Sequence, residues 1–399
     1  MPLVFRIAMV ASIAIGLLLP AAANAAHPSP IENLGARDAL LVTDADGRVL
    51  LTHNPNLPLV PASTLKVVTA LAARHYLGAQ ARFHTDFLLD PEGNLWIRGY
   101  GDPLLVSEVI ADIARALHQR LAAPVNAIVL DDRYFAQPLV IPGVSASTNP
   151  YDAPNGALCV NFNTVNFRTR EGRIVSAESQ TPLLPMVMKR IRASGLRRGR
   201  VVLSHHDNEA LRYAGALFRY FLEQAGVEVK GPLRLPGNSP APERLLYRHT
   251  SPFALDEVTT RLLEFSNNFI ANQLLIAVGA RAFGPPGTLA KGARALNAYA
   301  ADRLEIANAR LVEGSGISRE NRISARELMR ALVLFEPYRH LMTREANTYF
   351  KTGTLKGIRT RVGYIETRDR RLLRFVLFLN SPGKRPQPIL KRVEAYLQP

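Results

Sequence analysis

The sequence predicts a multidomain chain of mixed α+β and α/β class: an antiparallel sheet flanked by helices, accompanied by a large α/β unit of its own. Three observations lead there. The chain has 399 residues, of which 47% are apolar, enough for a sizeable core and for two domains rather than one. Alternating apolar strands stand near both ends of the chain, with helical periods beside them. Between Leu77 and His249 the pattern changes, and strands and helices alternate.

The first 25 residues read as a leader rather than as part of the fold. Arg6 precedes an apolar run from Ile7 to Leu19, then Pro20 and the small-x-small sequence Ala23-Asn24-Ala25. The run is shorter than the roughly 20 residues that a membrane span needs. No Cys follows it, so a lipoprotein is not expected. The expectation is a secreted chain without a transmembrane anchor.

Ala39 to Asp44 and Val49 to Thr52 read as a β-hairpin turning at Asp44-Ala45-Asp46-Gly47. Pro61 precedes a helical pattern from Ser63 to about Tyr76, with Leu65, Val68, Leu71 and Ala72 on one face. In the middle region, Phe83 to Leu89 and Leu95 to Gly99 are strands around a Pro91-Glu92-Gly93-Asn94 turn. Val106 to Leu121 is a helix and Ala127 to Leu130 a strand. Residues 136–155, rich in Pro, Asn and Ser, are a long loop. A strand pair follows between Gly156 and Val175, and helices near 184–194 and 208–226 flank a strand at 200–204.

From Pro252 the helical period returns, over Phe253 to Glu264, Phe269 to Phe283 and Thr288 to Arg303. Ser324 and Glu327 form a capping box, in which each side chain bonds the other's backbone at a helix start. Asn347 to Leu355, Arg361 to Thr367 and Leu372 to Leu379 read as three strands of an antiparallel sheet, closed by a helix from Gln387 to Leu397.

The net charge is +16, which favours anionic partners. The basic residues are spread along the chain, no nucleic-acid motif accompanies them, and export argues against nucleic acid. Peripheral association with an anionic wall or membrane surface is compatible with the charge, as is a plain Arg-rich composition. The single cysteine, Cys159, cannot form an internal disulfide and reads as a buried structural thiol. His205-His206-Asp207 reads as an exposed strand end rather than a metal site, no His-Glu-x-x-His pattern occurs, and no Gly-x-Ser-x-Gly elbow is present.

Three short motifs carry chemistry together. In Ser63-Thr64-Leu65-Lys66 the serine and lysine, three apart on a helix, share one side. A lysine amine can take the serine proton if burial or nearby charge lowers its pKa, and the helix start favours negative charge at Ser63. In Ser266-Asn267-Asn268, Ser266 and Asn268 can point into one cleft from a short interhelical connection; the hydroxyl can relay a proton and the amide can hold a peptide group. In Lys351-Thr352-Gly353-Thr354 the two threonines share a strand face, Gly353 admits a close backbone, and Lys351 with the hydroxyls makes a receptor for a carboxylate. Each motif alone reads as an ordinary helix, a turn or an edge strand. The ordered combination is far more specific.

With these motifs the chain resembles the low-molecular-mass class C penicillin-binding proteins, the D-alanyl-D-alanine carboxypeptidase/endopeptidase family. Gly101-Asp102-Pro103-Leu104-Leu105, Asp131-Asp132-Arg133-Tyr134-Phe135, Val160-Asn161-Phe162-Asn163 and Glu313-Gly314-Ser315-Gly316-Ile317-Ser318-Arg319 add to the resemblance, which spans nearly all of the chain after the leader; Glu313 stands where the family usually has Asp. Ser63 and Ser266 are 203 residues apart and Ser266 and Lys351 only 85, a spacing that matches that family's large insertion.

The resemblance implies a penicillin-binding transpeptidase-like (serine β-lactamase-like) domain from 26–76 and 251–399, interrupted by an inserted α/β domain at 77–250 in one or two nested parts. It implies a periplasmic enzyme without metal or cofactor that cleaves D-alanyl bonds of peptidoglycan stem peptides through an acyl-enzyme and is inhibited by β-lactam antibiotics. In that reading Ser63 attacks, Lys66 is the base, Ser266 relays a proton in concert with Lys351, Asn268 holds the substrate amide, and Thr352 and Thr354 bind the terminal carboxylate. The backbone N–H groups of Ser63 and Thr354 form the oxyanion hole. No Glu-x-x-Leu-Asn segment follows Ser266, so stable acylation by penicillins is expected. The alternatives are a β-lactamase or esterase on the same scaffold and a non-catalytic cell-wall-binding protein.

Overall fold

The computed structural model describes residues 29–145, 147, 149–204, 206–237, 242 and 244–397. The expected leader lies outside them. In chain order come β1 (Asp38–Thr43), β2 (Val49–His53), α1 (Lys66–Leu77), β3 (Arg82–Leu89), β4 (Leu95–Gly99), α2 (Ser107–His118) and β5 (Ile128–Asp131). Then follow β6 (Thr164–Arg170), β7 (Arg173–Ser176), α3 (Pro185–Ala193), β8 (Arg198–Val202), α4 (Glu209–Gln224), β9 (Leu233–Arg234) and β10 (Leu245–Ala254). The rest is α5 (Leu255–Glu264), α6 (Asn268–Phe283), α7 (Leu289–Leu304), α8 (Ala325–Phe335), β11 (Thr343–Glu345), β12 (Thr348–Leu355), β13 (Ile358–Glu366), β14 (Leu372–Leu379) and α9 (Pro386–Leu397).

A six-stranded antiparallel sheet runs in the order β11-β12-β13-β14-β1-β2. Its strands come from opposite ends of the chain, and β1 is buried along its whole length. Because side chains alternate across a strand, Ala39 and Leu41 enter one core and Leu40 and Val42 another. The second core is closed by Ile389, Leu390 and Val393 of α9. The first contains α1 and α6, which are apolar nearly all round, the mark of a helix enclosed by other elements. Lys66, at the start of α1, is therefore a charge-bearing side chain in the centre of the molecule, with no exposed surface.

A mixed five-stranded sheet has the order β10-β3-β4-β5-β9, with β4, β5 and β9 parallel, and a three-stranded antiparallel sheet has the order β7-β6-β8. α2, α3 and α4 join both sheets in one shared core around Phe87, Ile110, Phe167, Val187 and Phe218.

Three local expectations are corrected. The stretch 156–162 is not a strand. Ala157–Val160 is buried irregular chain whose Ala157 carbonyl accepts from Gly101 N at 2.8 Å, and Asn161, Phe162 and Asn163 all have positive φ. Residues 245–254, not foreseen as a strand, pair with β3 at the sheet edge; Pro252 and the polar side chains fit an edge position, where one side needs no ladder partner. Ser63 lies in a 3-10 turn, Ala62–Leu65, and the α-helix begins only at Lys66. The capping box at Ser324 is present as expected. Cys159 is buried, receives a hydrogen bond from Asn163 Nδ2 at 2.9 Å, and burial pushes its thiol pKa well up, away from reactivity. No described helix is long and apolar enough to cross a membrane.

Candidate active site

Ser63 and Lys66 are brought together by the 3-10 turn Ala62–Leu65, which runs straight into α1. Lys66 Nζ donates to Ser63 Oγ at 2.9 Å, to Asn268 Oδ1 at 2.8 Å and to the Ser315 carbonyl at 2.7 Å. Burial holds the Lys66 pKa well below the ordinary lysine value; the Lys351 charge lowers it further, and Glu313 works in the opposite direction.

Ser266 sits in the connection between α5 and α6 with φ 52°, and Asn267 caps α6 by accepting from Ile270 N at 3.1 Å. That cap leaves Asn268 as the first helical residue, its amide turned toward Lys66. Lys351, in the middle of β12, donates to Ser266 Oγ at 2.8 Å and to the Thr352 carbonyl at 2.9 Å, and burial brings its pKa down to about 7. Two lysines and two serines thus form two pairs, Lys66–Ser63 and Lys351–Ser266, with Asn268 bonded to the first. Thr352 and Thr354 both present exposed side chains on one face of β12. The cleft, about 450 Å³, is lined by Ser63, Ser266, Asn268, Thr354, Leu355 and Tyr151 among others; Thr352 is not part of its lining.

Gly353 sets the approach of β12 to the serine. A Cβ there would lie 2.8 Å from Ser63 N and 2.2 Å from Thr360 Oγ1, so only glycine lets the strand pass this close to the Ser63 amide. Thr360 Oγ1 in turn donates to the Pro61 carbonyl at 2.8 Å, tying the serine turn to β13.

Glu313 and Ser315 were legible only as members of a loop, not as parts of the site. Glu313 is fully buried, and its carboxylate accepts from Ser315 N and Ser315 Oγ at 2.6 Å each, Gly316 N at 2.7 Å and Asn321 Nδ2 at 2.7 Å. This holds the loop so that the Ser315 carbonyl faces Lys66. Gly316, at φ +82°, packs against the Ala62 carbonyl with no room for a side chain. Tyr151 was likewise missed. It comes from the Pro-rich loop, is 53% exposed, and its carbonyl accepts from Asn268 Nδ2 at 3.4 Å. Nothing in a loop composition marks such a residue.

Among the described residues no three His, Cys, Asp or Glu side chains gather as a metal site requires; His206 and Asp207 lie in a short turn, and His205 is outside the described residues.

The chain is 23% identical to D-alanyl-D-alanine carboxypeptidase DacB of Haemophilus influenzae, over 84% of this chain and 83% of that one. It is 27% identical to the D-alanyl-D-alanine carboxypeptidase of an Actinomadura species, over 73% of this chain and 63% of that one. The crystal structure of penicillin binding protein 4 (dacB) from Haemophilus influenzae superposes with a TM-score of 0.74 at 21% identity, covering 92% of this chain and 97% of that one. The same protein complexed with a β-lactam superposes at a TM-score of 0.68 and 20% identity, covering 92% and 98%. Residues 23–195 and 196–337 match the model of the D-Ala-D-Ala carboxypeptidase 3 (S13) family, so this chain belongs to that family and is a serine-type D-Ala-D-Ala carboxypeptidase acting on peptidoglycan.

Proposed function

We propose that Ser63 is the nucleophile of this carboxypeptidase and Lys66 its base. The observation that carries the reading is the 2.9 Å contact between a fully buried Lys66 Nζ and Ser63 Oγ, across which the serine O–H donates once the amine is neutral. A neutral amine has two N–H donors and one lone pair. Asn268 Oδ1 and the Ser315 carbonyl take the donors, and the lone pair is left for the Ser63 proton. Burial, and then the Lys351 charge, lower the Lys66 pKa and so favour that neutral form.

The Ser63 oxygen then attacks the carbonyl of a D-Ala-D-Ala bond, and its proton passes to Lys66. Negative charge grows on the carbonyl oxygen, which the backbone N–H groups of Ser63 and Thr354 receive. Ser266 passes its proton to the leaving amine and takes another from Lys351, so the C–N bond breaks as the ester forms. Lys351, Thr352 and Thr354 hold the terminal carboxylate, and Asn268 the substrate amide. Water cleaves the ester and restores Ser63. A D-alanyl cross-link is attacked by the same steps, which gives the DD-endopeptidase reaction. A penicillin opens its lactam on Ser63 and remains as the ester. Catalysis belongs to the parts from 26–76 and 251–399, with 77–250 as the inserted unit, in an enzyme working in the periplasm.

Intact mass of the protein with benzylpenicillin tests the assignment. One adduct per chain is expected for the wild type and none for Ser63→Ala, with unchanged thermal unfolding. An adduct on the Ser63→Ala protein would remove Ser63 from the role. Penicillin consumed without an adduct would favour the β-lactamase reading.

A further inference from the structure

The small sheet β7-β6-β8 and α3 are strongly basic. Residues 164–202 hold nine Lys and Arg against two acidic residues, Glu171 and Glu178, where the whole chain has 49 against 33. Strand pairing gathers four of these arginines. Arg168 of β6 lies directly opposite Arg198 of β8, and Arg170 of β6 directly opposite Arg173 of β7. Opposite residues of a ladder share a face, as do residues two apart along a strand, so all four project from one face. The other face carries Val165, Phe167 and Val201 into the core shared with α3. Like charges directly opposite one another weaken strand pairing, so the ladder itself gives no reason for this arrangement.

Further along the same face the charge is answered and the surface covered. Arg200 pairs with Glu178 and donates to Thr164 Oγ1 at 3.0 Å, and Val202 is buried in the core of α1 and α6. The other end is open. Glu171 stands 3.5 Å from Arg170 there, with both side chains more than two-thirds exposed, a pair that water screens. The turn from α3 into β8 joins this end, where Thr169 N donates to the Arg197 carbonyl at 2.8 Å. That turn adds the exposed Arg197 and, beside it, Leu196, whose side chain is 47% exposed.

We propose that this end of the β7-β6-β8 sheet is a docking surface for an anionic phospholipid bilayer. Guanidinium groups on one face match phosphate head groups, which accept from the fork of N–H donors. Attractions of several basic residues to an anionic lipid surface add, and an apolar side chain among them enters the layer below the head groups. Leu196 is placed to do this, and it favours a bilayer over a wall strand, to which an exposed leucine offers nothing. Docking also neutralises the like charges that face each other across the ladder. None of these residues belongs to the parts assigned to catalysis, so the proposal stands apart from the nucleophile reading.

The test is co-sedimentation with vesicles of phosphatidylcholine containing about a third phosphatidylglycerol, beside vesicles of phosphatidylcholine alone. The protein is the chain from Ala26 onward, which holds every described element and leaves out the apolar run at 7–19. It should bind the anionic vesicles, increasingly weakly as salt is raised, and leave the neutral ones unbound. Arg168→Gln/Arg198→Gln should weaken that binding on the order of 30-fold. Leu196→Ser, which keeps the charge, should weaken it about ten-fold. Both variants should unfold no earlier than the wild type and form the penicillin adduct at its rate. Vesicle binding unchanged in the arginine variant would overturn the docking surface. So would unchanged vesicle binding in Leu196→Ser together with loss of the arginine variant's retention on purified peptidoglycan, which would make the face a wall-binding one.

Discussion

At the scale of single residues, two buried lysines are coupled through their electrostatics. The Lys351 charge is one of the causes that keep the Lys66 pKa low. Removing it in Lys351→Gln lets the Lys66 pKa rise, so the acid limb of the pH profile for penicillin acylation should move to higher pH. A limb that stays in place or moves down would contradict the coupling. The same burial makes stability depend on pH. Below pH about 7 Lys351 is protonated in both states, and its full desolvation penalty opposes folding. Between about 7 and its ordinary value of about 10, the unfolded chain binds more protons than the folded one, so stability rises with pH. Urea unfolding of Lys351→Met should show a flatter profile across that window. A lysine and a serine three apart were visible in the sequence. The depth of Lys66 was not, because it depends on α6 and the 313–318 loop closing over it.

At the scale of elements, the site is a junction of one turn, one interhelical connection, one loop and one strand. Gly353 is where the strand must touch the turn. Gly353→Ala would push β12 away from the Ser63 amide, and a displacement near 1 Å at a reacting centre costs on the order of 10²-fold in rate. Stopped-flow acylation should show that loss, while Asn380 continues to tie the sheet to Val60. Elements with strong local signals were read correctly: the β1–β2 hairpin, the apolar α6, and the Ser324 cap. Edge strand β10 was missed because its pairing with β3 is nonlocal and its alternation is broken by the polar run from Arg248 to Ser251 and by Pro252. The stretch 157–162 was misread because alternation looks the same in a strand and in irregular chain packed between two layers.

At the scale of the whole molecule, the middle region is latched to α6 by a few buried polar groups. Asn155 donates to the Phe269 carbonyl at 3.0 Å and to Gln273 Oε1 at 2.9 Å, and Gln273 Nε2 donates to the Gly156 carbonyl at 2.6 Å. Phe135, Leu139, Ala153, Ala157 and Cys159 enter the same core as α1 and α6. Asn155→Ala leaves buried acceptors unsatisfied and should destabilise the fold by about 1–3 kcal/mol. Chemical denaturation would read this directly, and the loop bearing Tyr151 should become more susceptible to proteolysis. A variant as stable as the wild type would mean that apolar packing alone holds the latch.

The order of the three motifs, the periodicity of the elements around them and the length between them determined the fold class, the family resemblance and the nucleophile candidate. These are local or linear properties, carried by residue type and spacing. Tertiary structure decided how far Lys66 is buried, that Glu313 holds the loop facing it, and that Tyr151 reaches the cleft from a distant loop. Each of these is a distance between residues far apart in the chain, and only packing fixes such distances.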